Sequence, residues 1–121
     1  MKLGLNELKI EYKIDPFSFG KLWILHGHEK PGGAYNPEYI TNVIWQYVHD
    51  HFAVGHFHRG QEKIFKNIKG DTFYACSVPY LAGKMDYAVL NKWSQGFLRV
   101  DFSTSGKFKA QLLKIIDGEI F

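Results

Sequence analysis

The feature that most limits how this chain can fold is a short apolar run near its N-terminus. Residues 21–25 read KLWIL, with apolar residues at four consecutive positions. A strand with one solvated face alternates apolar and polar residues, whereas an unbroken apolar run is typical of a strand covered on both faces. The fold must therefore place a covering layer on each side of this strand.

Six further segments have the periodicity of β-strands. Residues 8–14 (LKIEYKI) and 96–102 (GFLRVDF) alternate apolar and polar residues, which is typical of half-buried strands. A hairpin is predicted where KIFKNI and TFYACS flank the turn KGD at 69–71. The other predictions are a turn at 15–20, a short strand at 52–56, irregular chain at 78–95 with a helical turn near 84–90, a turn at 103–106 and a last strand at 107–116.

One segment, residues 36–50, has the pattern of an α-helix. Asn36 is a favourable N-cap, Pro37 suits the first helical position, and Glu38 complements the positive end of the helix dipole. Apolar residues at helical spacing predict its buried face, which comprises Ile40, Val43, Ile44, Tyr47 and Val48.

About seven strands and one main helix predict an α/β fold that is short of covering elements. The 121 residues are enough for one domain and too few for two of usual size, so we expect a single domain over 1–121. One helix cannot cover both faces of a sheet that contains the strand at 21–25. Either strands pack on strands within the chain, or another polypeptide completes the core.

Four of the six histidines stand in two pairs, each directly after an apolar strand. His26 and His28 follow the strand at 21–25, and the strand at 52–55 leads into His56 and His58. A neutral imidazole is the commonest side-chain metal ligand, and open α/β sheets bind ligands beyond the carboxyl ends of their strands. The pattern therefore predicts a metal site at this edge of the sheet.

Two glycines and two other histidines have simpler interpretations. Gly27 and Gly55 leave room for a close backbone approach and for unusual φ angles. His49 and His51 lie at the predicted helix C-terminus, where a cationic or capping side chain is favourable. We therefore interpret His49 and His51 as structural.

The two histidine segments resemble the fourth and fifth motifs of the calcineurin-like metallophosphoesterases. ILHGHE is similar to the fourth motif, a strand that ends in His and often in His-Gly-His, and VGHFHRG contains the Gly-His-x-His of the fifth. LGLNELKIEYK resembles the lead-in to the fourth motif, and FYACSVPYLAGKMDYAVLNKWSQGFLRVDF resembles the stretch after the fifth. The resemblance covers nearly the whole chain. It implies a partial metallophosphoesterase-type β-sandwich, equivalent to the C-terminal half of that domain.

The resemblance implies a role for each matched histidine. His26 matches the fourth-motif ligand of the family's second metal, and His56 matches another ligand of that metal. His58 matches a ligand of the first metal. A divalent transition metal, Zn, Mn, Ni, Co or Fe, is the cofactor that the resemblance implies, and imidazoles suit several of these ions.

Four further residues are candidates for contact with a phosphate-ester substrate. His28 matches a neighbour of the ligands that in relatives either supports a metal ligand or lies near the substrate. Arg59 follows the fifth motif, and a guanidinium binds oxyanions in a bidentate manner. Tyr35 and Ser77 are weaker candidates.

The chain departs from the family where the carboxylate ligands should be. The family's first three motifs, Asp-x-His, Gly-Asp and Gly-Asn-His-Asp/Glu, do not occur in the 25 residues before His26. Gly70-Asp71 falls on the wrong side, in the predicted hairpin turn. We therefore expect at most one metal per chain, held by His26 and His56 with His58 as a further ligand, and no efficient turnover by the isolated chain. Metal loading should fall between about pH 7 and 5 as the imidazoles protonate.

Three hypotheses remain open at this point. The chain could be the metal-binding half of a phosphoesterase whose other half lies on a partner chain or upstream of Met1 in a longer reading frame. It could instead be a non-catalytic binding or scaffold protein that retains the fold. A homo-oligomer, in which one copy covers the apolar sheet face of another, is compatible with both.

Composition and charge bear on which classes of partner the chain can bind and on where it is located. The resemblance leaves nucleic acid open as a partner, since some metallophosphoesterases are nucleases. The net charge of +3 comes without a run of Lys or Arg, so the charge pattern itself gives no support to nucleic-acid binding. No stretch approaches the roughly 20 apolar residues of a membrane helix, so we expect no membrane association. Cys76 is the sole cysteine and cannot form a disulfide within the chain, which favours a reducing, cytoplasmic location.

Overall fold

The computed structural model of the protein describes residues 15–27, 39–81 and 94–121. These residues form eight strands and one helix, in the order β1 (Phe17–Phe19), β2 (Leu22–Leu25), α1 (Ile40–Val48), β3 (Phe52–Val54), β4 (Gln61–Lys66), β5 (Thr72–Ser77), β6 (Gln95–Phe102), β7 (Phe108–Ile116) and β8 (Glu119–Ile120). The predicted strand at 8–14 and the predicted helix start at Asn36–Glu38 lie outside the described residues. The α/β class is confirmed.

The first sheet has five strands in the order β1-β2-β3-β5-β4. Its three central strands are parallel, and the edge strands β1 and β4 pair antiparallel with β2 and β5. β3 is the strand with cover on both faces, since Phe52, Ala53 and Val54 are each no more than 1% exposed. In β2 only Leu22 is fully buried and Trp23 is 40% exposed, so the prediction that the whole run at 21–25 is covered on both faces was wrong.

Helix α1 packs against β4 and β5. Ile40 and Ile44 enter a core cluster with Phe52 and Val54, and the ring of Trp45 stacks on Phe65 with centroids 4.7 Å apart. The helix ends at Val48, two residues before the predicted end, because His49 turns into the left-handed conformation at φ 51°. Tyr47, predicted to be buried, is 57% exposed, because the buried face of α1 is narrower than its apolar pattern.

Two strands that the sequence did not predict are each joined to a neighbour by a two-residue loop. Residues 15–20 were predicted as a turn, but 17–19 form β1, and Gly20 with φ +59° begins the loop to β2 as a type II′ turn requires. The strand β7 was predicted to be the last, but Asp117 and Gly118, both with positive φ, reverse the chain into β8 as in a type I′ turn.

The second sheet, β6-β7-β8, is antiparallel throughout and contacts the first sheet at several points. The rings of Phe19 and Phe102 lie 5.0 Å apart, and those of His51 and Phe108 lie 4.9 Å apart. At the other end of the contact, Tyr80 forms a parallel bridge to residue 95. In the described residues, the two sheets therefore contact each other within the chain, and what covers the second face of the first sheet stays a prediction.

Within the described residues, no helix is both long and apolar enough to cross a membrane.

Candidate metal centre

The topology of the first sheet brings the two predicted histidine segments to one edge. β2 and β3 are parallel neighbours, with Leu25 opposite Val54 at their carboxyl ends. The backbone N–H of Gly55 extends this pairing by donating to the Leu25 carbonyl at 3.1 Å. Residues 26 and 56 therefore leave the sheet side by side, as parallel pairing requires.

The imidazole rings of His26 and His56 lie next to each other at this edge. Their centroids are 5.1 Å apart, the ring planes are inclined by 56°, and both residues are exposed. With metal–nitrogen bonds of about 2.0–2.1 Å, two imidazoles on one tetrahedral ion have centroids about 5.2 Å apart. The separation of the two rings thus fits a shared ion, and it also lies in the ordinary range for two aromatic rings in contact.

Gly27 is the residue that lets the two segments approach. Its φ is +112°, and a Cβ placed there would lie 2.9 Å from the Cβ of His56 and 3.2 Å from a methyl carbon of Val54. Real Cβ atoms do not approach backbone-anchored atoms so closely, so only glycine fits. Gly55 differs, because an added Cβ would meet only the His26 carbonyl oxygen at 3.6 Å, which is ordinary contact. The predicted need for glycine is thus confirmed at Gly27 and was wrong at Gly55.

The segment that carries His56 and His58 is held in an unusual backbone conformation. His56 has φ 70° and His58 has φ 61°, in a region that residues other than glycine rarely occupy. Between them, Phe57 is only 4% exposed, and its N–H donates to the Gly55 carbonyl at 2.8 Å. Burial of the Phe57 ring in the core stabilises this tight turn, which costs of the order of 1–3 kcal/mol per strained residue.

His58 has a different ring neighbour from the other two predicted ligands. Its half-buried ring lies 5.3 Å from that of Tyr80, and its carbonyl accepts a hydrogen bond from the Ser94 N–H at 2.8 Å. Over residues 15–27, 39–81 and 94–121, no group of three or more His, Cys, Asp or Glu side chains is placed to hold a metal ion. His58 stays a predicted ligand, and His28 and Tyr35 lie outside the described residues.

Arg59 and Ser77, the other predicted contacts, form part of the support for the histidine segment. The hydroxyl of Ser77 is fully buried and donates to the Arg59 carbonyl at 2.7 Å. Arg59 itself is only 7% exposed. The fixed carbonyl ties the end of the histidine segment to β5. Contact of either side chain with a phosphate stays a prediction.

A cleft that the sequence did not reveal lies at the amino-terminal ends of the parallel strands, opposite the histidine segments. It has a volume of about 810 Å³ and is lined by Gly20, Lys21, Trp23, Asp50, His51, Gly70, Asp71, Thr72 and Phe73. The residues come from three separate turns or strand starts, so no sequence-local motif marks them. His51, which we interpreted as a helix-end residue, is part of this cleft and lies directly before β3.

Burial lowers the pKa of His51 below its ordinary value, and Lys21 lowers it further, against an opposing effect of Asp50. The Nδ1 atom of His51 accepts a hydrogen bond from the Tyr74 N–H at 3.0 Å. A nitrogen that accepts cannot carry a proton, so the imidazole is neutral with its hydrogen on Nε2. His49, by contrast, forms the left-handed helix C-cap, as a structural interpretation expects.

Comparison with known proteins assigns no family and no function to the chain. No protein-family model matches the chain, and no curated protein matches it. The resemblance to the metallophosphoesterases therefore rests on the sequence motifs.

Proposed function

We propose that this protein is a metal-binding relative of the metallophosphoesterases, in which His26 and His56 hold one divalent transition metal. The observation that carries the proposal is the adjacent placement of the two rings, with centroids 5.1 Å apart, at the ends of parallel strands. Gly27 supports it, because the sheet edge would not close around the two imidazoles if that residue had a side chain. Further ligands would come from His58, from outside the described residues, from a partner chain or from water.

Electrostatics argues that the chain alone holds one ion rather than two. In a two-metal phosphoesterase the ions lie about 3.5–4 Å apart, and a bridging carboxylate offsets their repulsion. Without it, two dications at about 4 Å repel by about 16 kcal/mol even at an effective dielectric constant of about 20. Neutral imidazoles supply no negative charge to offset this. A single ion could bind a phosphate ester and polarise it as a Lewis acid, but the attack by a bridging hydroxide would need the missing half of the site.

Cobalt titration tests the proposed ligands directly, because Co²⁺ is held by imidazoles and gives visible absorbance that depends on coordination. We expect the wild-type protein to bind one Co²⁺ at about pH 7.5. His26→Ala and His56→Ala should each weaken binding at least about tenfold, since each removes a ligand. His49→Asn is the matched control. It removes an exposed histidine at a left-handed position that asparagine also tolerates, and it should bind as the wild type does. Equal binding by all four proteins would refute the assignment.

Hydrolysis of a chromogenic phosphodiester separates the catalytic and scaffold hypotheses. We expect the isolated, metal-loaded chain to be nearly inactive. Activity should appear when a partner that carries Asp-x-His and Gly-Asn-His motifs is co-expressed and shown to be bound. A confirmed complex without hydrolysis would instead support a non-catalytic binding protein that retains the metal site.

A further inference from the structure

His51 lies where three strands meet, at the sheet edge opposite the His26–His56 pair. Its backbone carbonyl accepts a hydrogen bond from the Trp23 N–H of β2 at 3.0 Å. Its Nδ1 accepts one from the Tyr74 N–H of β5 at 3.0 Å. Its ring meets the ring of Phe108 on β7 edge to face, with centroids 4.9 Å apart. One residue therefore joins two strands of the first sheet and contacts the second sheet.

The side chain of His51 takes the place of a backbone acceptor in the sheet. β3 and β5 pair in parallel from Phe52, opposite Ala75. One step before this, the Tyr74 N–H is bonded to the imidazole rather than to a carbonyl group. If Nδ1 gains a proton, two donors face each other, and the hydrogen bond is lost. Protonation would also leave a charged ring against Phe73 and Phe108, in a partly buried position.

At the same corner, the backbone of the loop before β2 lies against the backbone of the loop before β7. The Lys21 N–H, in the loop before β2, donates to the Gly106 carbonyl, in the loop before β7, at 2.9 Å. A Cβ on Gly20 would lie 2.6 Å from that carbonyl oxygen. The loop at Gly106 leads directly into β7, whose first residue, Phe108, packs on His51. A movement of the imidazole should therefore displace Phe108 and weaken the Lys21–Gly106 hydrogen bond.

The elements that pack around His51 carry charged groups close to this corner. Asp50 precedes His51 and attracts a proton to it, while Lys21 opposes protonation. Asp71, before β5, lines the same cleft. On β7 the residues that flank Phe108 are Lys107 and Lys109, both exposed. On β5 the Tyr74 hydroxyl donates to Glu62 at 2.6 Å, which places one further carboxylate on that strand's neighbour.

We propose that His51 is a pH-sensitive clasp, whose protonation releases β7 and the loop at Gly106 from the first sheet at this corner. The direction follows from the lowered pKa of the folded state. The unfolded chain binds the proton more readily, so the stabilisation by neutral His51 is fully present above about pH 6.5 and is lost as the pH falls through the lower folded-state pKa. The clasp is closed at neutral pH and opens as the pH falls through the lowered folded-state pKa of His51.

Amide hydrogen exchange followed by NMR tests the clasp, with rates expressed as protection factors so that the intrinsic pH dependence cancels. From about pH 7.5 to 5, the protection of the Tyr74 and Lys21 amides should fall together by at least about fivefold relative to Val78. Val78 is the reference because its N–H is bonded to the Val54 carbonyl at 2.8 Å, at the opposite end of the same strands. A fall at Tyr74 without a fall at Lys21 would overturn the release of the second sheet.

Two asparagine variants isolate the titrating group. His51→Asn retains an acceptor near the position of Nδ1 but cannot titrate, so the pH response should disappear. His49→Asn removes the neighbouring histidine and should leave the response unchanged. If His51→Asn does not fold, the wild-type protein alone decides. The loss of Lys21 protection should then have the same midpoint pH as the ring-proton shift of His51, and separate midpoints would overturn the proposal.

Discussion

Substitution of Gly27 by alanine is the sharpest test of how the histidine edge is built. A residue with a side chain is strained at φ +112°, which costs about 1–3 kcal/mol. The new Cβ would also meet the His56 Cβ at 2.9 Å. Neither atom is at the end of a flexible chain, so the backbone must shift, at a further cost of about 1–3 kcal/mol. We expect a total loss of about 4 kcal/mol, a large part of the stability of an ordinary domain.

Thermal unfolding followed by circular dichroism measures this loss. For a chain of this size, about 4 kcal/mol corresponds to a decrease in Tm of about 12–16 °C. Gly118→Ala is the matched control, because Gly118 has φ +80° and nothing within 4 Å of an added Cβ. It should show the backbone strain alone, about 1–3 kcal/mol. If Gly27→Ala were no more destabilising than Gly118→Ala, the close packing of Gly27 on His56 would be refuted.

Two other predictions concern the interior behind the histidine segment. Ser77→Ala should lower the free energy of unfolding, measured in urea, by about 1–3 kcal/mol, because the buried Arg59 carbonyl loses its hydrogen-bond donor. The control Ser105→Ala removes an exposed hydroxyl and should change this free energy by less than about 0.5 kcal/mol. Equal effects of the two substitutions would contradict the role of Ser77. Burial raises the pKa of the Cys76 thiol to about 12. At about pH 8, native protein should therefore react with a thiol reagent far more slowly than urea-unfolded protein. Complete labelling of the native protein on mixing would contradict the burial of Cys76.

Much of the strand pattern was readable from the sequence because local periodicity and burial agreed. The alternation at 96–102 and the hairpin around KGD were confirmed as β6 and as β4–β5. β1 and β8 were missed for a different reason. Their loops, Gly20-Lys21 and Asp117-Gly118, are two-residue hairpin loops, so each strand adds only a few residues beyond a turn, although Asp-Gly is itself a strong hairpin signal.

The histidine edge was partly predictable, whereas the His51 corner was not. A parallel pairing of the two apolar runs is enough to bring His26 and His56 together, and Gly27 was readable as a point of close approach. His51 contacts the Tyr74 N–H, 23 positions away in sequence, and the ring of Phe108, 57 positions away. Such contacts depend on how the two sheets pack, and no local sequence pattern records them.

The central claim is that His26 and His56 hold one metal ion, and elemental analysis after equilibrium dialysis tests it most directly. Wild-type protein and His49→Asn, dialysed against a slight excess of Zn²⁺ at about pH 7.5, should each retain about one equivalent. The double variant His26→Ala/His56→Ala should retain almost none while keeping its fold, as judged by circular dichroism. A folded double variant that retains one equivalent would contradict the account.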